Sequence, residues 1–132
     1  MIKAGAWIYA CDNSGAIKLK VLHVFRGKVK TLTGKLALVI VKTSYSATKR
    51  KVRVKLNARY KALIVRDKLR KRRASGYILA FRNYSAIIFA IGPSYAKANV
   101  YNPIAKRIYG AVSYDLRYSG HSRIAAMARK LV

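Results

Sequence analysis

Few side chains in this 132-residue sequence could perform acid–base or metal chemistry. The acids are Asp12, Asp67 and Asp115, and the histidines are His23 and His121. A hydrolytic or two-metal site needs at least two converging carboxylates, or a histidine beside a carboxylate. Such a site would require distant parts of this chain to bring these few groups together.

Each acid also has a structural explanation. Asp12 begins a segment typical of an Asx turn, and Asp67 stands among cations with which it could form an ion pair. Asp115 falls in the first turn of a predicted helix, where a negative charge is stabilising. These structural roles are favoured, and the sequence predicts a protein that is not an enzyme.

The sequence also predicts no metal site and no cofactor. Cys11 is the single cysteine, and neither His23 nor His121 has a second ligand at the spacing of a zinc site. We interpret Cys11 as a small buried apolar residue. No segment has the spaced glycines and lysine of a nucleotide-binding loop.

The charge balance points to a polyanionic partner. Twenty-nine Lys and Arg against three acids give a formal net charge of +26. A compact fold with this charge repels itself unless a polyanion neutralises it. The apolar runs at residues 36–41 and 86–91 are shorter than the roughly 18 residues of a membrane-spanning helix. They indicate buried strands, and no membrane partner is predicted.

The cations form two dense clusters, at residues 49–55 and 66–73. Arginine can bind phosphate oxygens through two parallel hydrogen bonds, while lysine acts as a point charge. A solvated charged surface would normally carry balancing acids, which are missing here, so phosphate contact is favoured. Several tyrosines could stack on unpaired bases, or pack in the core as strand residues: Tyr45, Tyr60, Tyr77, Tyr95 and Tyr101.

The element pattern is mainly β. Short runs rich in Val, Ile, Leu and Tyr, some alternating with cations, predict strands at residues 6–11, 17–25, 36–43, 52–56, 60–67, 76–81 and 86–91. Residues 12–16 predict a tight turn, residues 66–75 a connection, and the proline-containing residues 92–103 a long loop. Ser113 is placed to cap a helix over 114–117, and residues 121–130 predict a second helix. We expect one domain, with a barrel over about 1–91 and a helical part over about 112–132.

Several segments resemble one known family. Residues 11–16, Cys-Asp-Asn-Ser-Gly-Ala, resemble its Ala-Asp-Asn-Ser-Gly-Ala turn. Residues 62–66, followed by Ser75, Gly76 and Phe81, resemble its central signature, and residues 103–110 resemble its Pro-Ile-Gly-Thr-Arg-Ile-Phe-Gly motif. Residues 115–117 match its Glu-Leu-Arg. The order and spacing cover nearly the whole chain, and on this basis the chain resembles the universal large-subunit ribosomal protein family number fourteen.

The resemblance implies a small five-stranded β-barrel with a basic loop or hairpin and short C-terminal helices. It implies binding to large-subunit rRNA near the subunit interface, a bridge to small-subunit rRNA, contact with neighbouring large-subunit proteins, and docking of a ribosome-silencing factor. Carried onto this chain, the expected RNA-binding residues are Asn13, Ser14, Lys18, Lys20, Lys49, Arg50, Lys51, Arg53, Lys55, Arg66, Lys68, Arg70, Lys71, Arg72, Arg73, Lys106, Arg107 and Arg117.

Some positions depart from the family. Tyr84 stands where the family has an Asn three positions after the phenylalanine, and Asn83 comes one position earlier. The loop at 92–102 is longer, and acids are scarce. This drift predicts a mitochondrial ribosome, with a plastid or bacterial ribosome as the alternative, and the N-terminus shows no transit-peptide pattern, which predicts an organellar gene. A free nucleic-acid-packaging protein is the alternative function, and a nuclease comes third.

Overall fold

The computed structural model describes residues 2–25, 32–46, 48, 51–90 and 102–132. The elements in chain order are β1 (Trp7–Ala10), β2 (Ala16–Val24), β3 (Leu36–Ser44), β4 (Arg59–Arg66), β5 (Lys71–Arg72), β6 (Ile78–Leu79), β7 (Ser85–Ile88), β8 (Ile108–Val112), α1 (Asp115–Tyr118), α2 (Ser122–Ala126) and β9 (Ala128–Leu131).

Five strands close into a barrel in the order β1-β2-β3-β4-β7. The neighbouring pairs from β1 to β4, and the pair β4 with β7, are antiparallel. The barrel closes through a parallel pair in which Tyr9 lies opposite Ser85 and Ala10 opposite Ala86. Closure leaves none of the five strands with an unpaired edge. The predicted fold class, a five-stranded barrel with short C-terminal helices, is confirmed.

The barrel interior follows from the alternation of side chains along its strands. Leu19 and Val21 on β2 and Val39 and Val41 on β3 are fully buried. Their neighbours in sequence point to the opposite face, because successive strand side chains alternate between the two faces of a sheet. The resulting core cluster also contains Ile8 from β1.

β4 departs from this alternation because both of its faces are covered. Ala62 and Ile64 pack in the barrel interior, whereas Leu63 and Val65 belong to a second apolar cluster. That second cluster also contains Ile87 and Phe89, and it joins the outside of the barrel to β8, α1 and α2. A strand that is buried on both faces reads as a continuous apolar run, as this one does.

The C-terminal part is built on a parallel pair of strands, β8 and β9. The two short helices lie between these strands in the chain, and their residues Leu116, Ile124 and Ala125 are buried in the second cluster. Leu131 packs against the same cluster. The C-terminal part is therefore attached to the barrel by apolar contact through β4 and β7.

Two strand predictions are wrong. Residues 52–56 form no regular strand. The Arg53 N–H donates to the Ser14 carbonyl, and the Lys55 N–H donates to the Tyr60 hydroxyl, so the segment bonds to a turn and a side chain instead of a neighbouring strand. The run at 76–81 shortens to β6, and its partner β5 lies inside the segment expected to be a connection.

The second predicted helix is also too long. It begins at Ser122 but ends at Ala126, and residues up to Lys130 that were expected in it belong to β9. Helix propensity here is overridden by pairing with β8, in which Val112 lies opposite Leu131. Most of the expected loop at 92–103 lies outside the described residues. At its end, Pro103 forms a bridge with Phe89.

Candidate nucleic-acid interface

The turn after β1 is held by a buried carboxylate. Asp12 is 5% exposed, and its Oδ1 accepts hydrogen bonds from the Ser14 N–H at 3.3 Å and the Ser14 hydroxyl at 2.5 Å. Its Oδ2 accepts the Ile88 N–H at 2.9 Å, which ties the turn to β7. Burial raises the pKa of Asp12, and the hydrogen bonds from Ser14 and Ile88 oppose that rise. The predicted Asx turn is confirmed.

Gly15 completes this turn in a conformation that side chains rarely adopt, with φ at +93°. A Cβ at this position would lie 3.0 Å from the Val52 Cα. The turn therefore needs glycine both for its backbone angle and for the close approach of residue 52. Cys11, just before the turn, is 4% exposed, which confirms the buried apolar interpretation, and burial raises its pKa to about 12.

Asp67 has a role that differs from the predicted ion pair. It is 6% exposed, and its two oxygens accept the Leu32 N–H at 2.8 Å and the Leu69 N–H at 3.0 Å. Within the described residues, no lysine or arginine forms an ion pair with it. The carboxylate, which follows β4, thus satisfies one buried and one partly buried backbone donor.

Asp115 lies in the first turn of α1, as predicted, and it also pairs with two cations of the 66–73 cluster. Its Oδ2 lies 3.0 Å from the Lys71 Nζ and 3.8 Å from the Arg73 Nη2. Burial alone would raise the pKa of Asp115, but hydrogen bonds from Ser113 and Lys71 and the charges of Lys71 and Arg73 lower it overall. All three acids are therefore engaged inside the protein.

Three arginines expected to bind RNA also bind backbone carbonyls within the protein. The Arg53 Nη1 donates to the Ile104 carbonyl at 2.9 Å, and the Arg73 Nη2 donates to the Val132 carbonyl at 2.7 Å. The Arg66 Nε donates to the Ala111 carbonyl at 2.7 Å, and its Nη2 donates to the Tyr109 carbonyl. Arg66 and Arg73 connect β4 and the β5–β6 pair to the C-terminal part, whereas Arg53 holds residue 104, which packs against the barrel core.

Asn13 and Ser14 are engaged in a similar way. The Asn13 Oδ1 accepts a hydrogen bond from the Tyr109 hydroxyl at 2.9 Å, while Ser14 is fully buried. Lys49 and Arg50 lie outside the described residues. Most of the other expected residues have exposed side chains, and Lys20 is partly exposed: Lys18, Lys51, Lys55, Lys68, Arg70, Arg72, Lys106, Arg107 and Arg117.

The tyrosines that could stack on bases or pack in the core also differ in exposure. Tyr60 is 8% exposed and lies in the barrel core, whereas Tyr45 and Tyr77 are exposed. Tyr95 and Tyr101 lie outside the described residues. Arg117 lies over the exposed ring of Tyr114, with 5.4 Å between its Cζ and the ring centroid.

Sequence reasoning missed one further group of exposed side chains, on the outer face of β1 and β2. Trp7 lies opposite Lys20 and Tyr9 lies opposite Lys18. Both aromatic side chains are exposed, at 55% and 41%. The signal was present in the alternation of Trp7 and Tyr9 with the buried Ile8, but a short strand at the start of the chain gives little periodicity from which to assign a face.

The described residues contain no group of three His, Cys, Asp or Glu side chains that could hold a metal ion. Nor does any helix among them have the length and apolar character needed to cross a membrane. A closed β-barrel whose acids are engaged internally and whose cations remain at the surface fits the class of structural proteins that bind a polyanion.

The particular family follows from comparison with known proteins. The family model described as Ribosomal protein L14p/L23e matches residues 1–132, the whole chain, and the chain belongs to this family. Membership makes it a structural constituent of the large ribosomal subunit that binds rRNA and other ribosomal proteins. Proteins of this family are generally not enzymes.

Proposed function

We propose that the chain neutralises and positions rRNA segments near the subunit interface of the large ribosomal subunit, with cations on phosphates and little reading of base sequence. The observation that carries this proposal is the separation of charge. Asp12 and Asp67 are buried and Asp115 pairs with Lys71 and Arg73, while most of the other cations lack a carboxylate partner within the described residues. Such a surface attracts phosphate, because few of its cations are already paired with a carboxylate of the protein.

The residues proposed to contact RNA are the exposed or partly exposed cations of the expected set whose side chains bind no backbone carbonyl or carboxylate among the described residues: Lys18, Lys20, Lys51, Lys55, Lys68, Arg70, Arg72, Lys106, Arg107 and Arg117. Lys49 and Arg50 remain in the proposal on sequence grounds. Asn13, Ser14, Arg53, Arg66, Lys71 and Arg73 act within the protein, and we propose that any effect they have on RNA binding comes through the shape of the surface.

We further propose one domain, since barrel residues such as Leu63 and Ile87 share an apolar cluster with C-terminal residues such as Leu116. By resemblance, the exposed Lys106, Arg107 and Arg117 support contact with small-subunit rRNA across the interface. Docking of a ribosome-silencing factor is proposed on the resemblance alone. The scarcity of acids and the lengthened loop at 92–102 support a mitochondrial ribosome as the location.

The test is to separate a lysate of the source organism on a high-salt sucrose gradient and to follow the chain by mass spectrometry. We expect one copy per large subunit, in the mitochondrial fraction. Release into the light fractions at high salt would favour the free nucleic-acid-packaging protein instead. Enrichment in plastid or cytosolic ribosomes would overturn the location alone. The purified chain is expected to leave intact RNA uncleaved.

A further inference from the structure

The outer face of β1 and β2 has a composition unlike that of an ordinary solvated strand pair. Ile8 and Leu19 point into the barrel, at 1% and 0% exposed. Trp7, Tyr9 and Lys18 therefore point outward, because strand side chains alternate. Aromatic side chains are stabilised by burial, so two exposed rings on consecutive outward positions leave a large apolar surface in water.

The register places a cation beside each ring. Trp7 lies directly opposite Lys20, and Tyr9 lies directly opposite Lys18. Directly opposed residues have their Cβ atoms about 5 Å apart. Next to Lys20 on β3 lies the partly buried Ile40, so the cations of this face are Lys18 and Lys20.

No described acid opposes these cations. Asp12 and Asp67 are buried, and Asp115 pairs with Lys71 and Arg73 next to the C-terminal part. The face therefore combines exposed aromatic surface with uncompensated positive charge. A purely apolar protein partner would leave the charges unpaired, whereas a nucleic acid satisfies both features.

We propose that this face, formed by Trp7, Tyr9, Lys18 and Lys20, binds a single-stranded RNA segment. The two rings stack on unpaired bases, and the two lysines contact the phosphates. Two positions along a strand are roughly 7 Å apart, so the rings can engage neighbouring nucleotides. A continuous RNA duplex keeps its bases stacked on each other and offers no base face to a side chain. The proposal rests on the proposed rRNA-binding function and deepens it.

The chain itself supplies the probe, because Trp7 is its single tryptophan. Its fluorescence reports on this face alone. The full-length chain is titrated with a short oligouridylate and, separately, with an RNA duplex that has the same number of phosphates. Stacking of a base on the indole is expected to quench the emission with oligouridylate. The duplex is expected to bind through charge with much less quenching.

Ring variants test the stacking. The affinity of fluorescently labelled oligouridylate is measured by anisotropy for Trp7→Ala and Tyr9→Ala. Each change is expected to weaken binding roughly tenfold, within the range observed for loss of one stacked base. Trp7→Phe keeps a ring and is expected to retain most of the affinity. The matched control is Tyr118→Ala, which removes a side chain that is 82% exposed and lies outside this face.

Charge variants test the phosphate contacts. Lys18→Gln with Lys20→Gln is expected to reduce the slope of log affinity against log salt concentration by about 1.4, at roughly 0.7 for each phosphate contact on a single strand. The control pair, Arg129→Gln with Lys130→Gln, removes the same charge from exposed positions on β9 and is expected to change the slope much less.

Equal quenching by the duplex and the oligouridylate would overturn the proposal, as would unchanged oligouridylate affinity in Trp7→Ala. Either result is independent of whether the chain sediments with large subunits. Conversely, quenching and ring dependence in a chain that never enters ribosomes would support this site while contradicting the proposed ribosomal function.

Discussion

The carboxylate of Asp12 accepts the backbone N–H of Ile88 at 2.9 Å, across 76 positions of the chain. The same carboxylate holds the N–H and hydroxyl of Ser14. One buried side chain therefore fixes a turn and joins it to the last strand of the barrel. This dual function explains why an acid is kept in a turn of a chain that has so few acids.

Replacement of Asp12 is expected to destabilise the fold. Asp12→Ala leaves the Ile88 N–H and the Ser14 groups without their acceptor in a buried place, and we expect a loss of about 2–4 kcal/mol in the free energy of unfolding. Asp12→Asn is expected to lose less, because it keeps one acceptor oxygen and removes a buried charge. Urea unfolding followed by circular dichroism measures both. Asn83→Ala, at an exposed position, serves as the control and is expected to stay within about 0.5 kcal/mol of the parent.

Substitutions at Gly15 and Gly76 distinguish the cost of a left-handed backbone from the cost of steric crowding. Gly15 and Gly76 have φ of +93° and +87°, but only at Gly15 would a Cβ meet another residue. Gly76→Ala is expected to cost about 1–2 kcal/mol from the left-handed conformation alone. Gly15→Ala is expected to cost more, because the backbone of Val52 must also move. Thermal unfolding of the two variants measures the difference, and equal losses would contradict close packing at the turn.

Arg66 and Arg72, from the same cationic cluster, are expected to have different roles, one in stability and the other in RNA binding. Arg66 binds the carbonyls of Ala111 and Tyr109, whereas Arg72 is exposed on β5. Arg66→Met is expected to lower the free energy of unfolding by about 2–4 kcal/mol, since two hydrogen bonds from a charged group are lost. Arg72→Met is expected to leave stability within about 0.5 kcal/mol and to weaken RNA binding. Chemical unfolding and filter binding on both variants make the comparison. A stability loss confined to Arg72→Met would refute the division of roles.

The acids also predict a pH dependence. The pKa of Asp115 lies below its ordinary value of 3.8 in the folded protein. Its contribution to stability is therefore fully present above pH 3.8 and is lost as the pH falls through the lower folded pKa. Asp115→Asn is expected to remove this part of the acid transition. Asp12 has the opposite sign, because its raised pKa contributes stability at low pH that is lost as the pH rises through the folded pKa.

These two pH effects are measured by thermal unfolding between acid and neutral pH. The stability difference between the parent and Asp115→Asn is expected to shrink as the pH falls. For Asp12→Asn, the parent is expected to gain relative to the variant on acidification. A difference that is constant with pH for both variants would show that neither carboxylate changes its pKa on folding.

The barrel could be predicted from the sequence because its strands alternate or form apolar runs. β2, β3 and β4 were all found within a few residues, since β2 and β3 have regularly spaced buried positions and β4 is a continuous apolar run. β9 could not be found, because Ala128 to Leu131 have helical propensity and become a strand only through pairing with β8, which is distant in the chain. Residues 52–56 have the alternation of a strand, but among the described residues their backbone N–H groups bond to the Ser14 carbonyl and the Tyr60 hydroxyl.

The sequence predicts that the candidate site is rich in cations. It predicts less well which of these cations are free to contact RNA. Density of charge correctly marks the 66–73 segment as unusual, yet it does not distinguish Arg72, which is exposed, from Arg66 and Arg73, which bind backbone carbonyls. That distinction depends on which carbonyls of the C-terminal part lie within hydrogen-bonding distance of each arginine. The same limit applies to Ser14, whose burial follows from the packing of its turn against β7 and residue 52.

The parallel pairing of β1 with β7 also sets an order of events during synthesis. β2 can pair with β1 as soon as both have been made, but the partner that closes the barrel ends at Ile88. Until that residue has emerged, β1 keeps an open edge, and Ile88 cannot yet donate its N–H to Asp12. A nascent chain that ends before β7 therefore exposes both a free strand edge and an uncompensated cationic surface. An open strand edge can pair with another chain, and β1 is protected from such pairing only after β7 has been made.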